Sequence, residues 1–222
     1  MERHLEIVTT EDGSTTVYVP DLEEHYHSIH GAIRESMHVF IQNGLLASGC
    51  RDAKIFEMGF GTGLNALLTC LEAPRRDIKI HYDGIEAFPL DADLVQELNF
   101  AKFLPGPAHD VFHAIHACEW ERSHSMNKNF SIRKIKGDIQ SFSPSDRYDL
   151  IYFDAFNPRV QPELWSLEIF RKMHGMLRPG GILTTYSASG MVRRNMRDAG
   201  LHVEKRHGPP GKREMLLATK SR

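Results

Sequence analysis

The stretch AKIFEMGFGTGLNALLTCLEAP, residues 53–74, decides the fold. Its opening residues, AKIFEMGF, predict a strand because apolar side chains dominate them. Glycines at 59, 61 and 63 then form a turn, and a helix follows whose apolar stripe contains Leu64, Leu67, Leu68 and Leu71. A strand that leads through a glycine turn into an amphipathic helix is typical of an α/β protein.

The rest of the chain repeats this alternation. Further strands are predicted at DIKIHYDGIE (77–86), FSIRKIKGD (130–138), YDLIYFDAF (148–156) and GILTTYS (181–187). Helices are predicted from Pro89 onward, over AHDVFHAIHACEW (108–120), over residues 162–177 and over GMVRRNMRDAG (190–200). Such alternation favours a doubly wound, mostly parallel sheet with helices on both faces.

The two ends of the chain depart from this pattern. LHVEKRH (201–207) and EMLLATK (214–220) are joined only by GPPGKR, which is too short for a helical crossover, so these strands are predicted to be antiparallel. Near the N-terminus, EDGS between two β-branched segments predicts a hairpin, and a helix is predicted over residues 32–43 with Gly44 as its stop. We therefore expect an appendage over residues 1–50 and one Rossmann-like domain over residues 51–222, with a seven-stranded sheet.

The composition is that of an ordinary globular protein. A formal net charge of −2 over 222 residues gives no global basic field, and three widely spaced cysteines fit reduced thiols better than a disulfide framework. The N-terminal MERHLEIVTTEDGS lacks the apolar core of a signal peptide, and no apolar run approaches the roughly 20 residues that span a bilayer. These features predict a cytoplasmic protein without a membrane partner.

The glycine turn predicts a nucleotide-type ligand. Gly59, Gly61 and Gly63 let the backbone pass close to a ligand and expose amides at the start of a helix. A purely structural turn needs only one glycine, so three alternating glycines favour a binding site.

Two cofactor classes fit this turn. Gly61-x-Gly63-x-x-Ala66 matches the dinucleotide fingerprint, and an acid follows at about the expected distance in DGIE, which supports NAD. Glu57, however, precedes the first glycine, and a carboxylate there suits the positively charged amino group and sulfonium of S-adenosylmethionine. The chain is also short for the second, substrate-holding domain of most dehydrogenases, so S-adenosylmethionine is the preferred cofactor.

Acidic residues stand at or just after four successive strand ends, at Glu57, Glu86, Asp138 and Asp154. Because ligands of open α/β sheets bind at the carboxyl ends of the strands, we expect these side chains to surround one site. Glu86 is expected to accept hydrogen bonds from the ribose hydroxyls, and Asp138 from the adenine amino group. Phe60 or Ile139 is expected to pack on the adenine, and Asn65, in the helix after the turn, completes the predicted cofactor site.

Longer strings resemble a known family. FEMGFGTGLNALLT, FDAFNPRVQPELWSLEIF, LRPGGILTTYSASGMVRR and GPPGKREMLLA are similar to the methyltransferase half of the bifunctional MnmC proteins, and more closely to stand-alone versions of that domain. YHSIHGAIRESMHVFIQNGL and YDGIEAFPL extend the resemblance over nearly the whole chain. The resemblance implies the fold of a class I S-adenosylmethionine-dependent methyltransferase.

The resemblance also implies an activity. Members of this family methylate the exocyclic amine of 5-aminomethyl-2-thiouridine at the wobble position of tRNA, which gives 5-methylaminomethyl-2-thiouridine. The other half of the bifunctional proteins is an FAD-dependent oxidase, for which these 222 residues leave no room. We therefore expect a tRNA partner, no FAD and a precursor made directly by another system. The oligomeric state stays open, with a monomer favoured.

Asp154, in YDLIYFDAFNP, is the expected catalytic residue of that reaction. The attacking amine must give up or share a proton, and a carboxylate at the strand end can accept its hydrogen bond and orient its lone pair. Whether Asp154 only orients the amine or also takes the proton stays open. Phe156 is expected to stack on the uracil ring, and Pro158 to fix the loop.

Basic residues late in the chain are the candidates for contacts with tRNA. They lie on one helix and around the final hairpin, at Arg193, Arg194, Arg197, Lys205, Arg206, Lys212 and Arg213. Arg193, Lys212 and Arg213 are predicted to bind the substrate, together with Tyr26. The segments Tyr26–Ser28 and Glu35–Ser36 either line the pocket or seat the appendage.

Three alternatives agree less well with the sequence. The histidines at 25, 27, 30, 109, 113 and 116 lack the spacing of a zinc site, so no metal is expected. Aminopropyl transfer shares the fold and the amine nucleophile, but DAFNP has Asn157 where such enzymes carry a second acid. A non-catalytic nucleotide- or tRNA-binding module is disfavoured because all four strand-end acids are present.

Overall fold

The N-terminal hairpin forms a small sheet of its own. The computed structural model describes residues 4–144 and 146–222. Strands β1 (Glu6–Thr9), β2 (Thr15–Val19) and β3 (Glu24–His25) pair antiparallel in that order. The predicted hairpin is therefore confirmed, and β3 adds a strand that was not predicted.

A second, larger sheet organises the rest of the chain. Its strands are β4 (Asp52–Met58), β5 (Lys79–Glu86), β6 (Ser123–Asn127), β7 (Phe130–Lys136), β8 (Tyr148–Phe153), β9 (Leu177–Thr185), β10 (Leu201–His207) and β11 (Glu214–Lys220). They lie in the order β10-β11-β9-β8-β4-β5-β7-β6. The five strands from β9 to β7 in this order are mutually parallel, whereas β11 and β10 form the expected antiparallel hairpin.

The large sheet has eight strands instead of the expected seven. The additional strand is β6, which pairs antiparallel with β7 at the edge of the sheet. Its sequence, SHSMN, has no apolar alternation because neither face is fully covered, so the local pattern carried no strand signal. The α/β fold class and the mostly parallel sheet are confirmed.

Helices cover both faces of this sheet. They are α1 (Ala32–Ser36), α2 (Leu64–Arg75), α3 (Ala92–Glu97), α4 (Ala108–Ala117), α5 (Leu167–Met176) and α6 (Gly190–Asp198). Short 3₁₀ turns lie at Pro20–Leu22, Phe100–Phe103 and Pro162–Trp165. The last of these means that α5 begins five residues later than Pro162, where the helix was predicted to start.

The two faces hold separate apolar cores, and β8 contributes apolar side chains to both through residues 150–153. Leu150 and Tyr152 belong to the core under α2 and α4, whereas Ile151 and Phe153 belong to the core under α5 and α6. Successive residues of a strand point to opposite faces, so a central strand with two covered faces needs apolar residues at every position.

The helix that follows the N-terminal sheet runs past its predicted end. α1 continues directly into a π-helical segment, Met37–Leu46, so Gly44 lies inside the helix and does not stop it. A Cβ at position 44 would lie 3.0 Å from the Tyr152 ring and 3.1 Å from the Thr184 methyl group. The glycine therefore allows a close approach to the sheet, where the Thr184 hydroxyl donates to the carbonyl oxygen of Val39 at 3.1 Å.

The connections place the carboxyl ends of β4 and β8 side by side at the centre of the sheet. From β4 the chain continues to β5 and β7 on one side, whereas β8 leads to β9 on the other side. Gly59 has a φ of +88°, and a Cβ there would collide with the carbonyl oxygen of Asp154. Glycine at position 59 therefore allows the ends of β4 and β8 to pack closely. Open α/β sheets bind ligands at this place, where the strand order reverses.

No helix in residues 4–144 or 146–222 is both long enough and apolar enough to cross a membrane. The proposed division at residue 50 stays a prediction. The N-terminal helix shares its apolar core with the large sheet, through residues such as Val39, Phe40 and Ile41.

Candidate active site

A cavity of about 550 Å³ opens where β4 and β8 end. Its walls come from the glycine turn, from the segments that follow β5, β7 and β8, and from residues 24–29 of the N-terminal segment. A volume in this range holds a cofactor-sized molecule.

Most of the predicted site residues line this one cavity. They are Tyr26, Gly59, Phe60, Gly61, Asn65, Glu86, Asp138, Ile139, Asp154, Phe156 and Lys212. Four predicted residues are not part of its lining, namely Glu57, Gly63, Arg193 and Arg213. Glu57 is fully buried beneath the cavity, and Gly63 precedes the first residue of α2.

The amides of the glycine turn are already used inside the protein. Gly59 N and Phe60 N both donate to the carbonyl oxygen of Ile85, at 3.1 and 3.0 Å, and Gly61 N donates to Glu86 Oε2 at 2.9 Å. A dinucleotide turn offers such amides to a pyrophosphate. With these three engaged and a carboxylate beside them, the turn disfavours a pyrophosphate and so disfavours NAD.

Glu86 is held rigidly at the end of β5. Its two carboxylate oxygens accept from Gly61 N and from Phe88 N, both at 2.9 Å. A carboxylate oxygen accepts hydrogen bonds from hydroxyl groups, so Glu86 is chemically suited to a ligand with hydroxyl donors. Such an acceptor fits the ribose of S-adenosylmethionine.

The loop after β7 is fixed from outside the cavity by a lysine on α5. Lys172 Nζ donates to the carbonyl oxygens of Ile139, Gln140 and Phe142 at 2.6, 2.7 and 2.9 Å. Asp138 Oδ1 accepts from Gln140 N at 2.8 Å. These bonds set the position of Asp138 and Ile139 in the cavity wall. No local sequence pattern indicated this role of Lys172.

The two candidates for packing on an adenine differ in their surroundings. The Phe60 side chain packs against Gly63 and Gly84 and is only 4% exposed. Phe88, which was not predicted, also lines the cavity and is 53% exposed. Ile29 on the N-terminal segment is a second exposed apolar side chain of the lining, at 47%.

Asn65 joins the two carboxyl groups at the centre of the site. Its Nδ2 donates to Glu57 Oε1 and to Asp154 Oδ2, both at 2.8 Å. Burial, reinforced by the nearby charge of Asp154, raises the pKa of Glu57 well above its ordinary value. Glu57 therefore disfavours the charged form, and Asp154 is the one of these two carboxyl groups that lines the cavity.

Asp154 has the electrostatic surroundings of a proton acceptor. Burial and the carboxylate of Glu35 raise its pKa to about 7, against the opposing effects of the Asn65 hydrogen bond and the Lys212 charge. A group with this pKa exchanges protons readily near neutral pH.

Aromatic residues hold the loop that follows Asp154. The Tyr186 hydroxyl donates to the carbonyl oxygen of Ala155 at 2.8 Å, and Trp165 Nε1 donates to that of Phe156, also at 2.8 Å. The Phe156 ring meets the Tyr26 ring edge to face, with centroids 4.9 Å apart. Two aromatic rings therefore stand at the cavity wall beside the candidate catalytic carboxyl group.

The N-terminal segment is part of the site, which answers the question left open for residues 26–28 and 35. His27 Nε2 lies 2.6 Å from the Thr62 hydroxyl, and His116 Nε2 donates to the Thr62 carbonyl oxygen at 3.1 Å. Two histidines from different segments thus hold the glycine turn. Burial lowers the pKa of each to about 4, so both are neutral at pH 7.

Lys212 occupies a different place from the one expected for a phosphate-binding lysine. Its Nζ lies 2.6 Å from Glu35 Oε1 and 3.9 Å from the centroid of the Tyr186 ring. This charge is already paired at the cavity wall, and the expectation that Lys212 contacts tRNA phosphate stays a prediction.

The charge of the cavity suits a cationic ligand. Six acidic residues line it, namely Glu24, Glu35, Glu86, Asp138, Asp154 and Glu163, against a single lysine. The arginines of residues 4–144 and 146–222 lie outside it. Arg193 on α6 and Arg213 flank Glu214 together with Lys205, and these cations lower the pKa of Glu214.

The chain is similar to known methyltransferases. Residues 104–221 match the model of a family described as S-adenosyl-L-methionine-dependent methyltransferase. In a solved structure, MnmC2 from Aquifex aeolicus, the fold is the same over 100% of this chain and 72% of that one, with 26% identity and a TM-score of 0.80.

Two curated relatives are bifunctional MnmC proteins of tRNA 5-methylaminomethyl-2-thiouridine biosynthesis. The protein from Pseudoalteromonas atlantica is 32% identical over 90% of this chain and 32% of its own length. That from Cupriavidus metallidurans is 30% identical over 96% of this chain and 33% of its own length. The chain therefore spans about a third of the length of these relatives.

Proposed function

Because the chain belongs to the S-adenosyl-L-methionine-dependent methyltransferase family, we propose that it methylates the aminomethyl nitrogen of 5-aminomethyl-2-thiouridine at the tRNA wobble position. Two observations support this substrate. The relatives that match nearly the whole chain take part in the biosynthesis of tRNA 5-methylaminomethyl-2-thiouridine. The cavity has an acidic lining and a carboxyl group with a pKa of about 7, which suits an amine nucleophile.

The proposed cofactor-binding residues each contact a different part of the cofactor. S-adenosylmethionine, when bound, supplies an electrophilic methyl group on a sulfonium. Glu86 accepts hydrogen bonds from the ribose, and Asp138 accepts from the adenine amino group. Because Gly59 and Gly61 have no side chains, the ligand can approach the ends of β4 and β8 closely.

Asp154 then acts on the nucleophile. It accepts a hydrogen bond from the substrate amine and aims the nitrogen lone pair at the methyl group. When the methyl group passes to the nitrogen, its bond to the sulfonium sulfur would break and leave a neutral thioether. The proton that the nitrogen loses would pass to Asp154, whose pKa of about 7 suits a proton acceptor near neutral pH. Asn65 keeps Oδ2 of Asp154 in place, and Phe156 with Tyr26 holds the uracil ring by stacking.

The outer surface beside the cavity is the proposed binding surface for the tRNA backbone. Arg193 and Arg213 lie near Glu214, and Arg213 directly follows Lys212 of the cavity wall. Each phosphate contact that is lost should reduce the salt dependence of binding by about 0.7 in log–log slope for a single strand. Arg213→Gln should therefore weaken tRNA binding with a shallower slope and leave S-adenosylmethionine binding unchanged.

The reaction as proposed needs neither a metal nor FAD, and a tRNA substrate implies a cytoplasmic location. All the proposed roles in the cavity belong to residues of one chain, and we propose that the protein acts as a monomer.

The test is methyl transfer in vitro. The purified protein is incubated with S-adenosylmethionine and tRNA that carries 5-aminomethyl-2-thiouridine, and the nucleosides are then analysed by mass spectrometry. Conversion of the wobble nucleoside to its methylaminomethyl form is expected from the wild type but not from Asp154→Asn. A free alkylamine serves as a second substrate, because methylation of the amine alone would contradict the proposed tRNA substrate.

A further inference from the structure

An ion pair between a buried carboxylate and a half-buried lysine joins two distant parts of the chain at the cavity wall. Glu35, on α1, is 6% exposed, and its Oε1 lies 2.6 Å from Lys212 Nζ, 177 residues further on. Its Oε2 accepts from Ser28 N at 2.8 Å. Both oxygens are thus fixed, and the carboxylate cannot turn away from the cavity without breaking a bond.

Lys212 is fixed as firmly as its partner. Its Nζ lies over the face of Tyr186, 3.9 Å from the ring centroid, and the Tyr186 hydroxyl donates to the carbonyl oxygen next to Asp154. The cation–π contact and the ion pair both hold the ammonium group in place. The positive and negative ends of the pair therefore keep set positions relative to Asp154.

A purely structural role does not account for this pair. Moving the Glu35 carboxylate out of water costs free energy that its attraction to the half-buried Lys212 often only balances, so such a pair is weak evidence of stabilisation. Glu35 and Lys212 both line the same cavity as Asp154. Pairs such as Lys54 and Asp146 lie instead near the amino ends of β4 and β8, away from the cavity.

The groups that act on Asp154 come from several elements. Those that carry or can carry charge are Glu35 of α1, Glu57 of β4, Tyr82 of β5, Tyr186 after β9 and Lys212 of the 208–213 loop. The carboxylate of Glu35 raises the pKa of Asp154, and the ammonium group of Lys212 lowers it. Within this set, Glu35 and Lys212 form the pair whose charges oppose each other.

We propose that Glu35 and Lys212 are positioning residues that set, in opposite directions, how readily Asp154 takes a proton from the substrate amine. This inference rests on the proposed function for its kinetic consequence only. Glu35 makes Asp154 a stronger base, and Lys212 prevents it from holding a proton so tightly that the carboxyl group is blocked at neutral pH. The N-terminal helix thereby takes part in the reaction without touching the transferred group.

The direct test is a carboxyl ¹³C NMR titration of Asp154 in the full-length protein. In Glu35→Gln the midpoint should fall by about one pH unit, and in Lys212→Met it should rise by a similar amount. Lys54→Met, which removes the lysine of a matched ion pair at the far edge, should leave the midpoint unchanged. Circular dichroism and S-adenosylmethionine binding establish that each variant is folded. Shifts in the same direction, or no shift in folded variants, would overturn the proposal.

The kinetic readout is the acid limb of kcat/KM for tRNA methylation. It should move to lower pH in Glu35→Gln and to higher pH in Lys212→Met, and Lys212→Arg should restore the wild-type profile. The substrate's own ionisation is the same in every assay, so it cannot produce opposite shifts. If the wild type does not methylate the tRNA, the proposed function fails while the NMR titration still decides this inference. If the wild type methylates the tRNA and the acid limbs of both variants stay in place, this inference fails and the proposed function stands.

Discussion

Asn65 Nδ2 donates a hydrogen bond to Oδ2 of Asp154 at 2.8 Å, and its second amide proton goes to Glu57. Asn65 is buried, at 2% exposed, so its side chain has little freedom to adopt another arrangement. A hydrogen bond to a charged group contributes about 1.5 to 3 kcal/mol. The bond favours the ionised form of Asp154 and also aims the carboxyl group at the cavity.

We expect Asn65→Ala to raise the pKa of Asp154 above its value of about 7, because the stabilising bond to the carboxylate is lost. kcat at pH 7 should fall by about ten- to hundred-fold, and the acid limb of its pH profile should move to higher pH. Thr69→Val, which alters a neighbouring polar residue of α2, is the control. An acid limb that stays in place in Asn65→Ala would contradict this role.

Asp154→Asn should abolish methyl transfer and stabilise the protein at neutral pH. The pKa of Asp154 is about 7 in the folded protein and about 4 in an unfolded chain. Between these values the folded state holds the proton more tightly, so stability falls as pH rises through this window. Removing the ionisable group should therefore raise the free energy of unfolding by a few kcal/mol (order of magnitude) at pH 8, with little change near pH 4. Urea unfolding of both proteins over this range measures the difference, and a gain that is independent of pH would refute the assignment.

The sequence predicted those parts of the structure that local patterns encode. Apolar runs such as LIYF of β8 mark central strands, and the acids that follow them lie at the carboxyl edge because parallel strands all end there. This placed Glu86, Asp138 and Asp154 around one cavity before the fold was known. The same logic missed β6, since an edge strand with polar residues on both faces has no local signature.

The remaining parts depend on contacts between distant segments. Nothing near Glu35 in the sequence indicates that Lys212 is its partner, and Lys172 reaches the loop after β7 from a separate helix. Gly44 resembled a helix stop because a glycine's local preference is the same whether it ends a helix or permits close packing. The tertiary contact with Tyr152 decides between the two.

The neutral state of His27 should make the protein sensitive to acid. Its pKa is about 4 in the folded state, against 6.5 for an ordinary histidine, because it is buried against Thr62. As the pH falls, His27 becomes protonated in the unfolded chain before it does so in the folded protein. The free energy of unfolding therefore falls below about pH 6.5, by roughly 2 kcal/mol at pH 5 for this residue. His27→Gln should show a smaller loss of unfolding free energy between pH 7 and pH 5. His202→Gln, on an exposed strand, is the control, and equal losses in wild type and His27→Gln would contradict the assignment.

Lys172 should control S-adenosylmethionine affinity from outside the cavity. Its ammonium group binds three carbonyl oxygens of the loop that carries Asp138 and Ile139, so Lys172→Met leaves those oxygens without their donor. We expect the Kd for S-adenosylmethionine, measured by isothermal titration, to rise at least tenfold, as the loss of about 1.4 kcal/mol implies.

Lys220→Met is the matched control, because Lys220 Nζ also binds carbonyl oxygens, those of His174 and Leu177 at 2.9 Å, which do not line the cavity. That variant should lower the unfolding free energy without changing the Kd. Methylammonium added to a Lys172→Ala variant should restore part of the affinity. An unchanged Kd in folded Lys172→Met would show that the loop keeps its position without the lysine.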